Sequence, residues 1–202
     1  VNVRGYQWWW GFEYPELGVH TANEIVFPAG RVVKLNLHAN DVIHSFWLPK
    51  LAGKTDLMPG QTNEMWIQAD EPGYFWGQCA EYCGDSHAYM LFRAKALSPE
   101  DWEAWKADQQ RKTVQADGSY QPLLTEASAS GELTEEIVRG AQLFKDNCVR
   151  CHSVDPAVQT NGPNLAHFGS RTSIAAGWME NEPDNLHRWI KEPKNVKPGN
   201  FM

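Results

Sequence analysis

Residues 77–90 read Gly-Gln-Cys-Ala-Glu-Tyr-Cys-Gly-Asp-Ser-His-Ala-Tyr-Met and hold a dense set of metal-binding side chains. Three residues separate Cys79 from Cys83, three more separate Cys83 from His87, and Met90 follows. A loop that folds back on itself can point these side chains at one centre. Thiolate and thioether sulfurs are soft ligands and imidazole is intermediate, a set that suits copper better than hard ions. The stretch predicts a metal-binding loop.

Two plainer interpretations of this loop need to be weighed. Zinc binds Cys and His in a tetrahedron, usually with two to four residues between paired cysteines. A zinc site has no use for Met90, and it leaves unexplained the segment 41–49, Asp-Val-Ile-His-Ser-Phe-Trp-Leu-Pro, in which His44 lies between a strand-like run and a turn. A disulfide between Cys79 and Cys83 is the second interpretation, although nothing else indicates a disulfide scaffold. On chemistry alone, copper and zinc both stay open.

The four cysteines of the chain all fall in two short motifs. The second is Cys148-Val-Arg-Cys151-His152, the C-x-x-C-H pattern through which c-type haem is attached. The same five-residue pattern also occurs by chance in zinc and redox proteins. Cysteine usage therefore indicates metal and cofactor chemistry, and haem attachment implies maturation outside the cytoplasm.

Composition limits the classes of function. A length of 202 residues allows one or two domains, and a hydrophobic content of 42% supports buried cores. The formal net charge of −7 argues against a nucleic-acid partner. No apolar run approaches the ~18 residues of a membrane span, so we expect no membrane anchor within this sequence, and Val1 does not begin a signal peptide.

Short strands are predicted through the first half of the chain. Apolar and polar residues alternate over Val33–Ala39, the period of a half-buried strand. Further strands are expected at Ile43–Leu48 and Thr62–Ala69, and two more lead into and out of the loop, over 74–78 and 89–97. Close spacing of strands and turn signals is typical of a β-sandwich or barrel.

Helices are predicted in the second half. Ser98-Pro-Glu-Asp101 is a capped start, and the helix should run to about Arg111 with Trp102 and Trp105 on one face. Residues 112–131 lack periodicity and are interpreted as a linker. A helical stripe then leads to Cys148. Another short helix is expected over 184–191, with a buried face of three residues: Leu186, Trp189 and Ile190.

The loop resembles the C-x-E-x-C-G-x-x-H-x-x-M copper loop of cytochrome c oxidase subunit II, and 41–49 resembles the upstream D-V-x-H-S segment of that family. Nitrous oxide reductase has a related loop but typically carries Trp where this chain has Glu81. The resemblance implies a cupredoxin-like fold and a pair of coppers bridged by the two thiolates. The implied ligands are His44, Cys79, Cys83, His87, Met90 and the backbone carbonyl of Glu81. It also implies a magnesium ion near the Glu81 side chain, at the boundary with subunit I.

The tryptophan-rich segment 1–15 resembles the G-x-Q-W-x-W-x-x-E-Y segment of the same family. The resemblance implies that Trp8 receives the electron from cytochrome c. Aromatic residues this dense are more generally core or interface residues. The plainer interpretation is therefore a strand packed at a membrane-facing interface.

The C-terminal part resembles mitochondrial-type cytochrome c through segments 140–154, 162–165 and 189–202. The resemblance implies covalent haem at Cys148 and Cys151. It implies His152 as the proximal ligand, held by the carbonyl of Pro163, and Met202 as the distal ligand. Met179 and His167 stay open as competitors for the distal position. Arg171 either holds a haem propionate or is an exposed solubilising residue.

Together these features resemble a caa-type subunit II. The expected fold is a cupredoxin-like β-sandwich or barrel over 1–111, followed after the linker by an all-α class I cytochrome c domain over 132–202. Because the chain ends at Met202 and starts just past where two membrane helices would end, we expect that domain to lack its C-terminal helix and the membrane anchor to be absent.

The implied function is electron transfer in a haem–copper oxidase. Electrons would pass from a donor, either cytochrome c or a quinol-oxidising complex, through haem c and copper A to subunit I, where oxygen is reduced and protons are pumped. Subunit I and other membrane subunits are the implied partners, at the extracytoplasmic face of a bacterial inner membrane. A nitric oxide reductase subunit with the same copper domain and a copper carrier or sensor are the alternatives.

Overall fold

The structure, a computed structural model, describes residues 1–111 and 134–202. We call the first range the N-terminal domain and the second the C-terminal domain. The predicted linker 112–131 lies outside the described residues, and the predicted domain boundaries stay predictions. Within the described ranges, no helix combines the length and apolar character needed to cross a bilayer.

The N-terminal domain is built from ten strands and one helix. The strands are β1 Asn2–Tyr6, β2 Trp9–Tyr14, β3 Val19–Ala22, β4 Glu24–Pro28, β5 Val33–Ala39, β6 His44–Trp47, β7 Lys54–Leu57, β8 Asn63–Ile67, β9 Gly73–Cys79 and β10 Leu91–Leu97. They form two five-stranded sheets, ordered β3-β2-β1-β5-β8 and β4-β10-β9-β6-β7. The predicted β-sandwich is confirmed, and each predicted strand matches an observed one to within a few residues.

Aromatic rings fill the space between the sheets. Trp10, Phe46 and Phe92 are fully buried, and the Phe46 and Phe92 rings stack with centroids 4.3 Å apart. A Cβ at Gly77 would lie only 2.1 Å from the Phe92 ring, so the ring can cover β9 only because residue 77 is glycine. This core reaches the predicted metal site, because the Trp10 ring packs edge-on against the ring of His44, one of the predicted ligands.

Helix α1, Pro99–Gln109, closes one end of the sandwich. Ser98 caps it by accepting a hydrogen bond from the amide of Asp101, as predicted. Trp102 and Trp105 lie on one face, stacked on each other, and Trp105 packs on Tyr14 with ring centroids 5.1 Å apart. The helix therefore anchors the chain to the sandwich just before it continues toward the C-terminal domain.

The described part of the C-terminal domain is mainly helical, as expected, with one short hairpin added. Its elements are α2 Glu135–Asn147, β11 Ser173–Ile174, β12 Met179–Glu180, α3 Pro183–Lys191 and α4 Pro193–Val196. Thr134 caps α2 by accepting a hydrogen bond from the amide of Ile137. Helix α2 ends directly before Cys148, so the helix positions the C-x-x-C-H motif.

The predicted buried face of α3 is wrong. No residue of α3 is buried, Leu186 and Trp189 are only partly covered, and Ile190 is 60% exposed. An amphipathic pattern identifies which face of a helix is apolar but not what covers it. In α2 the residues Ile137 and Leu143 of the predicted stripe are likewise exposed.

Candidate metal and haem sites

Sulfur and nitrogen atoms of the loop converge on one buried point. The Sγ atoms of Cys79 and Cys83 lie 3.8 Å apart. His44 Nδ1 lies 3.9 Å from the first sulfur, and His87 Nδ1 lies 3.6 Å from the second. Met90 Sδ is 3.8 Å from Cys83 Sγ. Ligand atoms of His44, Cys79 and Cys83 all fall within 4.8 Å of one another, as a metal site requires.

Strand ends position these donors. His44 begins β6 and Cys79 ends β9, and the two strands are antiparallel neighbours. The loop is closed by backbone hydrogen bonds from Cys79 to Met90 and from Ala80 to Ser45. Strand β1 of the other sheet carries Gly5, where a Cβ would lie 2.7 Å from the His44 ring. The sheets therefore fix the donors before any metal arrives.

The disulfide interpretation does not fit this geometry. A disulfide requires sulfurs about 2.05 Å apart, whereas these lie 3.8 Å apart and both cysteines are free. A zinc clip accounts for Cys and His but gives no role to Met90, whose sulfur is buried beside Cys83. The five soft or intermediate donor side chains, two thiols, two imidazoles and one thioether, favour copper over zinc.

His44 is oriented by a carboxylate that the sequence analysis did not single out. Its Nε2 lies 2.8 Å from Asp41 Oδ1, which leaves Nδ1 directed at the sulfurs. Burial alone would lower the pKa of His44, but the hydrogen bonds to Asp41 and Cys79 outweigh burial and raise that pKa. Asp41 is itself held by the amides of Gln7 and Val42. The Asp-x-x-His spacing is the signal that could have identified it, since metal-binding histidines commonly donate their second ring N–H to a carboxylate.

The two thiols titrate as a pair. A hydrogen bond from Cys83 lowers the pKa of Cys79 far below its usual value, and the bond to His44 adds to this effect. The same hydrogen bond raises the pKa of Cys83, as does its burial. The site thus holds one thiolate readily, which is the form that binds metal.

Glu81 contributes through its backbone. Its carbonyl oxygen lies 3.2 Å from Cys79 Sγ, inside the cluster, while its side chain is exposed at the surface of the loop. This placement matches the backbone role implied by the family resemblance. The magnesium ion expected at the side chain rests on that resemblance alone.

Trp8 lies directly beside the cluster. Its indole Nε1 donates to the carbonyl of Cys83 at 2.9 Å, and Gln7 donates to the same oxygen. The side chain is buried, and what covers it is the C-terminal domain. Phe201 stacks on the Trp8 ring with centroids 6.5 Å apart, and Gly199 is so close that a Cβ there would lie 2.7 Å from that ring.

Residues of the C-x-x-C-H motif are arranged for a haem. His152 Nδ1 lies 2.8 Å from the carbonyl oxygen of Pro163, which fixes the ring and leaves Nε2 free for iron. A Cβ at Gly162 would lie 2.8 Å from the carbonyl oxygen of Cys151, so this close approach requires glycine. Cys148 and Cys151 are free thiols, the second of them exposed.

Other residues nearby also fit a haem. Arg171 is partly buried, and the hydrogen bonds recorded for it within the described residues go to the carbonyls of Asn164 and Ala166. Burial lowers the pKa of Arg171 to about 10, an effect that Glu24 partly offsets. A guanidinium so placed suits a propionate. The exposed apolar residues Ile137 and Leu143 of α2 suit a helix that packs on a prosthetic group.

The three distal candidates occupy different places. Met202 is 46% exposed and lies beside residues 191–195. Met179 belongs to β12 and pairs with Ile174. His167 Nδ1 lies 3.3 Å from Asp108 Oδ2 of α1. None of these positions contradicts the prediction of Met202 as the distal ligand.

Comparison with known families matches both domains. A family model described as cytochrome c oxidase subunit II, periplasmic domain, matches residues 17–97. A model described as cytochrome c matches residues 137–202. Domains of these two families imply copper A and haem c, and the cluster of His44, Cys79 and Cys83 lies within the first.

Curated relatives match along the whole chain. A cytochrome c oxidase subunit 2 from Alkalihalophilus pseudofirmus is 40% identical over 203 residues, covering 100% of this chain and 54% of the relative. One from Bacillus subtilis is 38% identical over 215 residues, covering 100% of this chain and 55% of the relative. The chain therefore spans about half the length of the curated relatives it matches.

A solved structure supports the fold of the N-terminal domain. The crystal structure of the periplasmic domain of subunit II of cytochrome oxidase of Bradyrhizobium japonicum is 31% identical, with a TM-score of 0.52, and covers 54% of this chain and 91% of that one. The cupredoxin-like fold is thus confirmed. With both family models and the full-length relatives in agreement, the chain belongs to the cytochrome c oxidase subunit II family, in the caa-type form that joins the periplasmic domain to a cytochrome c domain.

Proposed function

We propose that this chain is the electron-transfer part of subunit II of a haem–copper oxidase. It receives electrons at the C-terminal domain, passes them to the N-terminal domain and delivers them to subunit I. Copper A and haem c, when bound, each accept and release one electron at a time. The chain itself positions both groups and shortens the path between them.

The proposed copper ligands are the donors that converge in the loop. Cys79 and Cys83 would hold copper through their thiolates, and His44 and His87 would each supply Nδ1. Met90 and the carbonyl of Glu81 complete the set, because both already point into the cluster. The role of Asp41 is to hold His44 in the tautomer and orientation that present Nδ1 to the metal.

For haem, the proposed attachment is through Cys148 and Cys151, with His152 and Met202 on the iron. Pro163 fixes the proximal imidazole. A Met/His pair raises haem potential relative to two histidines, which suits a donor to copper. Covalent attachment in the same chain also replaces diffusional encounter by a high effective concentration.

The single observation that carries the proposal is the position of Trp8. Its indole bonds the carbonyl of the copper-loop residue Cys83, and its ring is covered by residues 197–201, which lead directly to Met202. Lys197 Nζ also donates to the carbonyl of Trp8 at 2.5 Å. Trp8 therefore links the two domains at the copper loop, and its proposed donor is this chain's own C-terminal domain.

Partners and location follow from the family and are part of the proposal. The exposed side of the loop at Glu81 and Tyr82 would face subunit I, and the proposed magnesium ion would bind there. The donor to the C-terminal domain would be a cytochrome c or a quinol-oxidising complex. The assembly would stand at the extracytoplasmic face of a bacterial inner membrane, with other membrane subunits.

Metal and haem content per chain tests the proposal. We expect a pair of coppers and one covalent haem, with the seven-line copper resonance of a mixed-valence pair. Cys83→Ser should abolish the pair but keep the haem, and Cys151→Ser should weaken haem attachment but keep the pair. Zinc in the loop, or the four-line resonance of a single copper, would contradict the proposal; the latter would favour a copper carrier.

A further inference from the structure

Glu24 lies between the domains, and both oxygens of its buried carboxylate have partners. Its Oε2 pairs with Lys95 at 2.7 Å within the N-terminal domain. Within the described residues, the hydrogen bonds recorded for its Oε1 come from the C-terminal domain, from the amides and hydroxyls of Thr172 and Ser173 at 2.7–3.2 Å. A carboxylate this buried is stable only when its oxygens are bonded, so its stabilisation depends on both domains.

Arg93 of β10 is paired with Glu24 of β4, and its side chain contacts the C-terminal domain at the same interface. Its guanidinium packs 3.4 Å from the centre of the Trp76 ring and donates to the carbonyl of Gly177 at 2.5 Å. A Cβ at Gly177 would lie 2.9 Å from Arg93 Nη1, and the glycine has φ +73°. Only glycine therefore fits at position 177, beside Arg93.

Residues Thr172–Glu180, which we call the docking hairpin, bring all of these partners from the C-terminal domain. At its turn, Ala175 and Ala176 adopt φ +53° and +61°. Such left-handed conformations are strained for a non-glycine residue. Both alanines are buried, and the carbonyl of Ala176 accepts a hydrogen bond from the amide of Leu91 in β10. The conformation of the hairpin is thus held by the N-terminal domain.

The contact over Trp8 is held by hydrogen bonds to backbone carbonyls, among them one that the Ser86 hydroxyl donates to Pro198 at 2.5 Å. Lys197 is buried there, and its two recorded hydrogen bonds within the described residues go to the backbone carbonyls of Trp8 and Ala175. A buried ammonium bonded only to carbonyls is poorly compensated for its loss of water. Lys197 also ties segment 197–201 to the docking hairpin through the carbonyl of Ala175, so the hairpin supports this contact over Trp8.

We propose that the docking hairpin and the Glu24–Arg93 site hold the C-terminal domain in one docked position, and that this position shields Trp8 and the copper loop from direct reduction by outside donor proteins. The shielding half of this inference rests on the proposed function, whereas the docking half does not. The docked C-terminal domain would then deliver electrons from the haem and also prevent outside donors from reducing the copper directly.

Two variants on opposite sides of the interface test the inference in the full chain loaded with copper and haem. Gly177→Ala places a Cβ against Arg93, and its control is Gly169→Ala, where a Cβ would meet nothing within 4 Å. Glu24→Gln removes the charge from the N-terminal side, and its control is Glu71→Gln at an exposed position. Because the two variants change different domains, misfolding of one does not remove the test.

Hydrogen–deuterium exchange of peptides covering 172–178 and 197–201 measures docking. We expect both variants to exchange about tenfold or more faster than wild type in both peptides, the scale of losing one charge-assisted hydrogen bond, with the controls unchanged. Exchange in the variants equal to that in their controls would overturn the docking role.

Stopped-flow reduction by a small soluble c-type cytochrome measures shielding. In wild type, haem should be reduced before copper, whereas in the variants a direct phase of copper reduction should appear. If hydrogen–deuterium exchange rises in the variants but copper is still reduced only after haem, the shielding role is wrong. If copper and haem exchange no electrons even in wild type, the proposed function fails while the docking result stands.

Discussion

The two domains build their sites in opposite ways. In the N-terminal domain, the loop donors lie on a core of fully buried rings, and His44, Cys79, Cys83 and Met90 are all buried. In the C-terminal domain, α2 and α3 bury no residue, and their apolar side chains are exposed or only partly covered. The copper site is therefore set by the protein, whereas the haem site needs the haem to complete its core.

The largest difference should appear when haem attachment is removed. With Cys148→Ser and Cys151→Ser together, we expect α2 and α3 to lose their protection from hydrogen exchange, because no protein core holds them. The N-terminal domain should keep its protection and its copper spectrum. Retained protection of α2 in this double variant would contradict the contrast between the domains.

Shortening one apolar side chain in each domain tests the same difference between the two domains. Phe92→Ala removes a ring between the sheets and should lower the free energy of unfolding by about 3–5 kcal/mol. Leu143→Ala, on the exposed face of α2, should change the stability of the haem-free chain by less than about 0.5 kcal/mol. Chemical denaturation monitored by tryptophan fluorescence and circular dichroism separates the two. A larger cost for Leu143→Ala in the haem-loaded chain would show that the haem covers this face.

Asp41→Asn tests whether the copper site is pre-set by its neighbours. Loss of the carboxylate should weaken copper affinity by about 10–100-fold, because His44 is no longer held in one tautomer. Competition with a copper chelator measures this change. Asp70→Asn, at an exposed position, is the control, and equal affinities in the two variants would remove Asp41 from the account.

A smaller effect is expected from pH at the domain interface. Burial alone would raise the pKa of Glu24, but Lys95 and Thr172 outweigh it and hold that pKa below its usual 4.5. The carboxylate therefore adds stability that is present above 4.5 and is lost as pH falls through its lower folded pKa. The stability difference between wild type and Glu24→Gln should shrink on acidification. A difference independent of pH would mean that the charge of Glu24 is not what holds the interface.

Sequence predicted the N-terminal domain well because its signals are local. Strand alternation over 33–39, the Ser98 cap and the spacing within 77–90 each express a local rule, and the structure follows them. The buried face of α3 was predicted wrongly because the pattern within a helix identifies its apolar face but not whether another part of the molecule covers that face. Glu24 was missed for a related reason, since its partners Thr172 and Ser173 lie far away in the sequence, whereas the local Asp-x-x-His spacing could have identified Asp41.

The most direct test of the account is the rate of copper reduction after flash reduction of the haem in the loaded full chain. We expect a fast intramolecular phase that is independent of protein concentration, much slower in Trp8→Leu, and unchanged in Trp66→Leu at an exposed position on β8. Equal rates in wild type and Trp8→Leu would contradict the claim that Trp8 links the two centres.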